Sequence, residues 1–455
     1  MSKDDKKKDK KGKKDRATEQ TADVALSALA DSADPAAVGS TVAGSNGASD
    51  YSGIMQEALA MNEELVSLRR YYHMHPELSS QEFATARSIA DYLRGLGNIE
   101  VHELVNGTAV LGLLRGGAGD GPTIMVRADI DALPIIEANT VEYKSQNVGV
   151  MHACGHDTHI TGVLATARLL SQRAATLNGN VKFAFQPAEE RSGGAQPMID
   201  EGVMKNPSVD RVIGYHVWGD MQVGKVGISA GPVMAGVEEF VITIKGKGGH
   251  GAHPDQTVDP IVVAAHLITA LQTIVSRNVD PLDTAICTVG KVEAGTAFNI
   301  IPETAKLTGT LRFFKEHVHE LLLERVRTLA EGVAAGFGAT AEVKYTGDLA
   351  MIPVDNDAET TAWLRGVAER TVGAERVVDQ GQTMGGDDMA LFVKQAHGTY
   401  FFLGGKNEAK GFDSPHHSST FDIDEGCLPY GVAVLTAGVL DYLKLAALAV
   451  STCIS

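Results

Sequence analysis

Met151-His-Ala-Cys-Gly-His-Asp-Thr-His159 sets Cys154 and His156 two residues apart around Gly155. An extended or tightly turned backbone there faces both side chains to one point, as two ligands of one metal require. Over residues 160–174 the apolar side chains then recur at roughly helical spacing. A loop carrying a thiol and an imidazole thus feeds straight into a helix, a common place for a site on an α/β scaffold.

The chain around this stretch has 455 residues, 44% hydrophobic and 21% charged, enough for two domains with sizeable cores. A net charge of -17 argues against a nucleic-acid partner, because a phosphate-tracking surface needs clustered Lys and Arg. The dense basic run, residues 1–16, is interleaved with Asp4, Asp5, Asp9 and Asp15, and residues 17–50 are Ala, Ser, Gly and Asp without periodicity. Residues 1–53 therefore read as a disordered low-complexity tail. Asp23, Asp31 and Asp34 interrupt the apolar core that a secretory signal needs. Cys154, Cys287, Cys427 and Cys453 lie far apart without framework spacing, the pattern of reduced thiols in a cytoplasmic protein. The strongly apolar segment 428–450 is broken by Asp441 and Lys444, so it reads as a buried helix and not as a membrane span.

Upstream of the opening stretch, a helix runs from residue 54 to 72 and stops before Pro76. His75-Pro-Glu-Leu-Ser-Ser-Gln-Glu82 follows as a turn whose Ser79 or Ser80 caps a helix over 83–96. His73 and His75 read as surface histidines or as histidines backing a site. Strands are expected over 109–114 and 123–127, the second ending in Ala128-Asp-Ile-Asp-Ala-Leu-Pro134. Asp129 and Asp131 share one face of an extended segment, past the carboxyl end of a strand, where open α/β sheets place their sites; a capped turn is the plainer alternative. Downstream, a strand over 180–186 runs into Pro187-Ala-Glu-Glu190. Adjacent side chains point oppositely on an extended backbone, so one Glu can ligate a metal while the other reaches the attacking water. His216, inside the apolar run 212–218, reads either as a core histidine or as a ligand.

From about residue 227 the pattern changes. A strand over 237–245, a glycine-rich turn with His250 and His253, a helix over 261–275, strands at 285–290 and 305–311, a helix over 317–335 and a strand over 341–345 make a βαββαβ unit. A helix over 359–372, the turn Thr383-Met-Gly-Gly-Asp-Asp388, a strand over 398–404 and Ser414-Pro-His-His-Ser-Ser-Thr-Phe421 return to the α/β style. The resulting division is 1–53 tail, 54–228 first part of the main domain, 229–347 insert, and 348–455 second part.

Seven short stretches now stand in order: Asp129-x-Asp131-Ala-Leu-Pro134, His152-Ala-Cys-Gly-His-Asp157, Gln186-Pro-Ala-Glu-Glu190, Gly214-Tyr-His216, Gly249-His-Gly-Ala-x-Pro254, Asn299-Ile-Ile-Pro302 and His417-Ser-x-x-Phe421. Together they resemble the amidohydrolase branch of the aminoacylase/carboxypeptidase family of co-catalytic metallopeptidases, which includes hippurate hydrolases, auxin-conjugate hydrolases and N-acyl-amino-acid amidohydrolases. The resemblance covers residues 64–443. It implies an α/β catalytic domain, a mixed sheet flanked by helices, with an inserted ferredoxin-like lid and dimerisation domain.

It also implies two divalent ions held by Cys154, His156, Glu190, His216 and His417, with Glu189 as the catalytic carboxylate. Zinc or manganese is the family's expectation, and the mixed donor set suits cobalt or nickel as well. His250 occupies the motif of an oxyanion-stabilising histidine supplied across a homodimer formed through the insert. Asn299 and Arg312 are implied substrate-binding residues, Arg312 equally suiting a structural ion pair, and Asp129, Asp131 and Asp157 are site-supporting. The role of His416 is open. The implied substrate is a small N-acyl amino acid cleaved to a carboxylic acid and a free amino acid, with neither nucleic acid nor membrane as partner. Relatives more often carry Ser-Glu-Asp where this chain has Gly386-Asp387-Asp388, which puts in doubt any contact needing the longer acid. Three alternatives stand beside this reading: a small carboxypeptidase or dipeptidase, a metal-independent hydrolase with Cys154 as nucleophile, and a non-catalytic metal-stabilised binding protein.

Overall fold

In the computed structural model, residues 51–191, 193–345 and 351–454 are described, with side chains up to residue 445. The tail expected over 1–53 lies outside these residues except at its end, where a correction is needed. Helix α1 begins at Ser52 (Ser52–Ala60), and the Tyr51 hydroxyl before it donates to Asp441 Oδ1 at 3.1 Å. The boundary expected at 347/348 also lies outside the described residues.

The described residues divide into two compact units, one within 51–230, 356–380 and 392–454, the other within 231–345, 351–355 and 381–391. The segment 381–391, which the sequence reading left with the main domain, thus groups with the insert. In the first unit α1 is followed by α2 (Asn62–Met74) and α3 (Phe83–Gly95), then strands β1 (Ile99–Leu104), β2 (Ala109–Arg115) and β3 (Thr123–Asp129). Helix α4 (His156–Ser171), β4 (Asn180–Gln186), β5 (Arg211–Gln222) and the short β6 (Val226–Gly227) complete its first part.

The second unit is β7 (Gly236–Lys245), α5 (Pro260–Arg277), β8 (Ala285–Ala294), β9 (Thr304–Phe313), α6 (Glu316–Gly336) and β10 (Thr340–Tyr345). Its sheet runs β8-β9-β7-β10, antiparallel throughout, the strand arrangement of a ferredoxin-like βαββαβ unit. On β7, buried and half-buried residues alternate with period two. Phe240, Ile242 and Ile244 meet Leu267 and Leu271 of α5 and Leu322 and Val326 of α6 in one core.

The chain then returns to the first unit with α7 (Ala358–Val372), β11 (Val377–Val378), β12 (Gly398–Lys406) and α8 (Leu428–Ile454). Here the sheet order is β1-β2-β4-β3-β5-β12-β6-β11. Neighbours β4, β3, β5 and β12 are mutually parallel, while β1 and β2 are antiparallel additions at one side. Strands β3 and β4 are almost wholly buried and largely apolar, as parallel strands covered on both faces are. Val432, Leu435 and Val439 of α8 are fully buried in the same core as Val163 and Leu164 of α4, which accounts for the apolar run near the carboxyl terminus. Parallel strands bring their carboxyl ends to one edge, and the loops after β3 and β4 start there.

Candidate metal centre

The turn between Cys154 and His156 depends on a glycine. Gly155 has φ +88°, and a Cβ there would sit 2.3 Å from Val217 Cγ1, so the left-handed turn and the close approach of β5 both require the residue to be bare. Helix α4 starts at His156, four residues earlier than the apolar spacing suggests, so the imidazole belongs to the first helical turn. Burial of the helix on nearly every side hides its start, because no polar face marks the periodicity.

Two imidazoles are presented in the same way. His156 Nδ1 donates to Asp131 O at 2.9 Å and His216 Nδ1 to Val217 O at 2.6 Å, so in the neutral rings that bind a cation each Nε2 presents its lone pair. His216 Nε2 lies 3.5 Å from Cys154 Sγ. His156 Nε2 lies 3.9 Å from Glu190 Oε1 and 4.0 Å from Glu189 Oε2. His417 Nε2 is 3.5 Å from Glu190 Oε1; its backbone takes φ +63° and its N–H donates to Ala153 O at 2.8 Å, drawing the loop back to Cys154. The sets Cys154/His156/His216, Cys154/Glu190/His417 and His156/Glu189/Glu190 each hold their donor atoms within 4.8 Å of one another.

The donors suit cations. His156 Nε2 and Glu190 Oε1 are buried with no hydrogen-bond partner among the described residues, a costly state for polar atoms unless an ion takes their lone pairs. Burial alone would lower His156, yet Asp129, Asp131 and Glu190 outweigh it and raise the imidazole to about 10. Burial, followed by the charges of Glu190, Glu189 and Asp129, pushes the Cys154 thiol well above its ordinary value. Burial, reinforced by His159 and His416, holds His216 well below its own. Such a concentration of negative charge around soft and imidazole donors is what divalent ions neutralise.

A further cluster, Asp129/His156/His159, has its donors equally close, but Asp129 and His159 are already engaged with other partners. His159 Nε2 accepts from Val217 N at 2.9 Å, so its proton sits on Nδ1 and faces Asp129 Oδ1 at 2.5 Å. Asp129 Oδ2 is paired with Arg127 at 2.7 Å, and Arg127 Nε donates to Gln186 Oε1 at 2.9 Å. Asp131 Oδ2 accepts from Ser79 Oγ at 2.7 Å and from Glu190 N at 3.1 Å. Ser79 therefore does not cap α3, and neither serine does: Glu77 Oε2 accepts from Thr85 N at 2.8 Å instead. Asp157 Oδ2 meets Arg69 Nε at 2.9 Å and His73 Nδ1 at 2.7 Å. His73 reaches Glu137 on its other side, and Arg69 reaches Asp422. His416 Nε2 accepts from Gly219 N at 3.0 Å, which orients the residue beside His417.

Sequence reasoning left out Arg69, Glu137, His159 and Asp422, and it left His73 undecided between the surface and a backing role. Nothing in their local pattern separates a buried ion-pair partner from a solvated one. The Arg69-Arg-Tyr-Tyr-His73 spacing of four, which stacks Arg69 and His73 on one helix face, was the available signal.

In the second unit, His250 pairs with Ile300 across a two-residue ladder, and Gly251 N donates to Asn299 O at 2.8 Å, so His250 and Asn299 are neighbours. His250 Nδ1 accepts from Ala252 N at 3.0 Å, leaving Nε2 as the N–H donor. Arg312 is not with them. It lies near the far end of β9, eight residue steps or about 26 Å beyond Thr304, where Nε donates to Met384 O at 3.1 Å. Asp387 Oδ1 accepts from Met389 N at 2.8 Å, a turn bond for which the shorter acid suffices.

Comparison with known proteins identifies the family. The chain is 40% identical to the N-acetylcysteine deacetylase of Bacillus subtilis over 393 residues, 85% of this chain and 99% of that one. It is 40% identical to thermostable carboxypeptidase 2 of Saccharolobus solfataricus over 370 residues, 81% and 92% of the two chains. The crystal structure of the Bacillus subtilis YXEP protein, a dinuclear metal binding peptidase from the M20 family, superposes with a TM-score of 0.73 at 35% identity, covering 85% of this chain and 99% of that one. With the profile of Peptidase family M20/M25/M40 matching residues 125–441, the chain belongs to that family and is a metal-dependent amide hydrolase.

Proposed function

We propose that the protein hydrolyses the amide bond of small N-acyl amino acids, with two divalent ions held by Cys154, His156, Glu190, His216 and His417. The observation carrying this reading is the convergence of those donors around buried, unpartnered His156 Nε2 and Glu190 Oε1. The donor set suits zinc, manganese, cobalt or nickel without choosing among them, and zinc or manganese is what the family resemblance favours. Ions there supply Lewis acidity, polarising the amide carbonyl and lowering the pKa of water towards neutrality. Glu189, buried one residue before the ligand Glu190, takes the proton as water attacks and passes it to the departing amine. Asp129, Asp131 and Asp157 hold the ligands in place: Asp131 through the Glu190 N–H, Asp129 through His159, and Asp157 at the start of α4. Asp157 is itself held by Arg69 and His73.

His250, with its Nε2–H free to donate, is suited to the oxyanion that forms at the carbonyl. Asn299 beside it and Arg312 at the far end of β9 suit the free carboxylate of the amino acid. The family resemblance implies a partner-supplied role for His250, and Asn299 adjoins it through the Gly251 N–H, so we propose that His250 and Asn299 act in the site of a second copy. The free edge of β8 and the exposed Val292, Phe298 and Ile300 support a homodimer through this unit. The free thiols of Cys154, Cys287 and Cys427 support a cytoplasmic location. A metal-independent thiolate nucleophile is disfavoured, because burial and the charges of Glu190, Glu189 and Asp129 push the Cys154 thiol up, and a cation that offset them would itself take the sulfur as a ligand.

A panel of N-acetyl and N-benzoyl amino acids beside unblocked dipeptides tests the substrate class. Preferential turnover of the acylated series supports it, and preference for the dipeptides returns the function to a dipeptidase.

A further inference from the structure

Glu82 stands directly before α3, where a residue ordinarily caps its helix, yet makes no capping bond. Its side chain is fully buried, and Oε1 accepts the Ala188 N–H at 2.8 Å. Oε2 is buried without a hydrogen-bond partner among the described residues. A carboxylate kept there at a desolvation cost is not explained by α3, which Glu77 already serves.

What Glu82 holds is a strained turn. Ala188 has φ +51°, the left-handed region that residues with a Cβ avoid. The Ala188 carbonyl is tied down by Gly193 N at 3.0 Å. On the other side of Glu189, the Glu190 N–H is held by Asp131. Glu189 is thus flanked by two backbone N–H groups, each gripped by a buried acid. The sequence motifs point to Asp131, and none of them points to Glu82.

We infer that Glu82 is a positioning residue for Glu189: by accepting the Ala188 N–H it keeps residue 188 left-handed and so aims the carboxylate that moves the proton. This rests on the role proposed above for Glu189.

The test measures kcat, KM and metal per chain in the full-length protein reconstituted with Mn²⁺ or Zn²⁺, using the best-cleaved N-acyl amino acid. Glu82→Ala should lose about 10–100-fold in kcat, with KM within about threefold and the bound metal unchanged. Glu82→Gln, which keeps the acceptor oxygen, should retain about tenfold more kcat than Glu82→Ala. Adding Ala188→Gly to Glu82→Ala should recover at least about fivefold, since glycine takes a positive φ without the clamp. A wild-type kcat in Glu82→Ala, a loss that Ala188→Gly leaves unrepaired, or loss of a metal ion would each overturn the inference. If circular dichroism shows Glu82→Ala unfolded, Glu82→Asp, one methylene shorter, replaces it in the same comparison. Glu189→Gln run alongside separates the two ideas. Activity in Glu189→Gln removes the role of Glu189 itself, whereas an inactive Glu189→Gln beside a fully active Glu82→Ala removes only that of Glu82.

Discussion

At the scale of single residues, His156, His216, Glu190 and His417 are each held by a hydrogen bond that fixes a ring or the backbone beside it, and the acids around them are held in turn. Asp157 shows the energetic side of this. Burial by itself would raise its carboxyl, but Arg69 and His73 outweigh burial and hold it below the ordinary carboxylate range. A carboxyl depressed in the folded state contributes stability above its unfolded pKa of about 3.9, and that contribution is lost as pH falls towards the folded value. Asp157→Asn should therefore cost about 3–5 kcal/mol near pH 7, where it leaves Arg69 partly uncompensated. Urea titrations at several pH values should also find a shallower loss of stability below about pH 4 in the variant. Gly155→Ala should cost about 2–4 kcal/mol in the same titrations, combining a left-handed alanine with the clash against Val217; stability equal to wild type would show that the turn can be rebuilt. Among the site residues, those on short motifs were legible because their chemistry is unusual for a strand end: a Cys-x-His turn, a Glu pair, a His inside an apolar run. Glu82 and Glu137 were not, since a glutamate in a turn reads as solvated until the packing around it is known.

Among the elements, the parallel strands were readable because full burial makes them largely apolar runs with a few buried polar residues, and β7 because it alternates. Strand β1 was missed for the opposite reason. Ile-Glu-Val-His-Glu-Leu over 99–104 is largely polar and lies at the sheet edge with mixed exposure, so it has little hydrophobic signal. Helix α1 and α2 were read as one, the break at Met61 being a residue with no helix-breaking chemistry. Helix α8 is fixed to its neighbours by Asp441, which accepts from Tyr51 before α1 and from Trp363 Nε1 on α7 at 2.7 Å. Asp441→Ala leaves both donors, and Arg370 whose guanidinium lies 3.2 Å from Asp441 Oδ1, without that acceptor and should lower stability by about 2–3 kcal/mol, measured by urea unfolding; an unchanged midpoint would mean that apolar packing alone seats α8.

At the scale of the whole molecule, the order of motifs carried the family, and the succession of strand and helix patterns over 237–345 carried the βαββαβ insert. The grouping of 381–391 with the insert was not legible, because it depends on long-range packing of a glycine-rich turn. Two consequences concern the complete protein. Ions bound to the folded state alone stabilise it by mass action, so chelation should lower the thermal midpoint and re-addition of Mn²⁺ or Zn²⁺ should restore it. If His250 and Asn299 serve a second copy, Phe298→Asp with Val292→Asp should yield a monomer by sedimentation, with hydrolysis reduced about 100-fold or more, as expected when an oxyanion donor is lost. A fully active monomer would contradict the shared site.

The most direct measurement is equilibrium metal binding to chelator-stripped protein, with hydrolysis of an N-acyl amino acid followed in the same samples. Two ions per chain are predicted, with activity returning as they bind and with tight binding of at least one lost in Cys154→Ala. Hydrolysis that persists in the stripped protein, or a chain that takes up no tightly bound ion, would contradict the account.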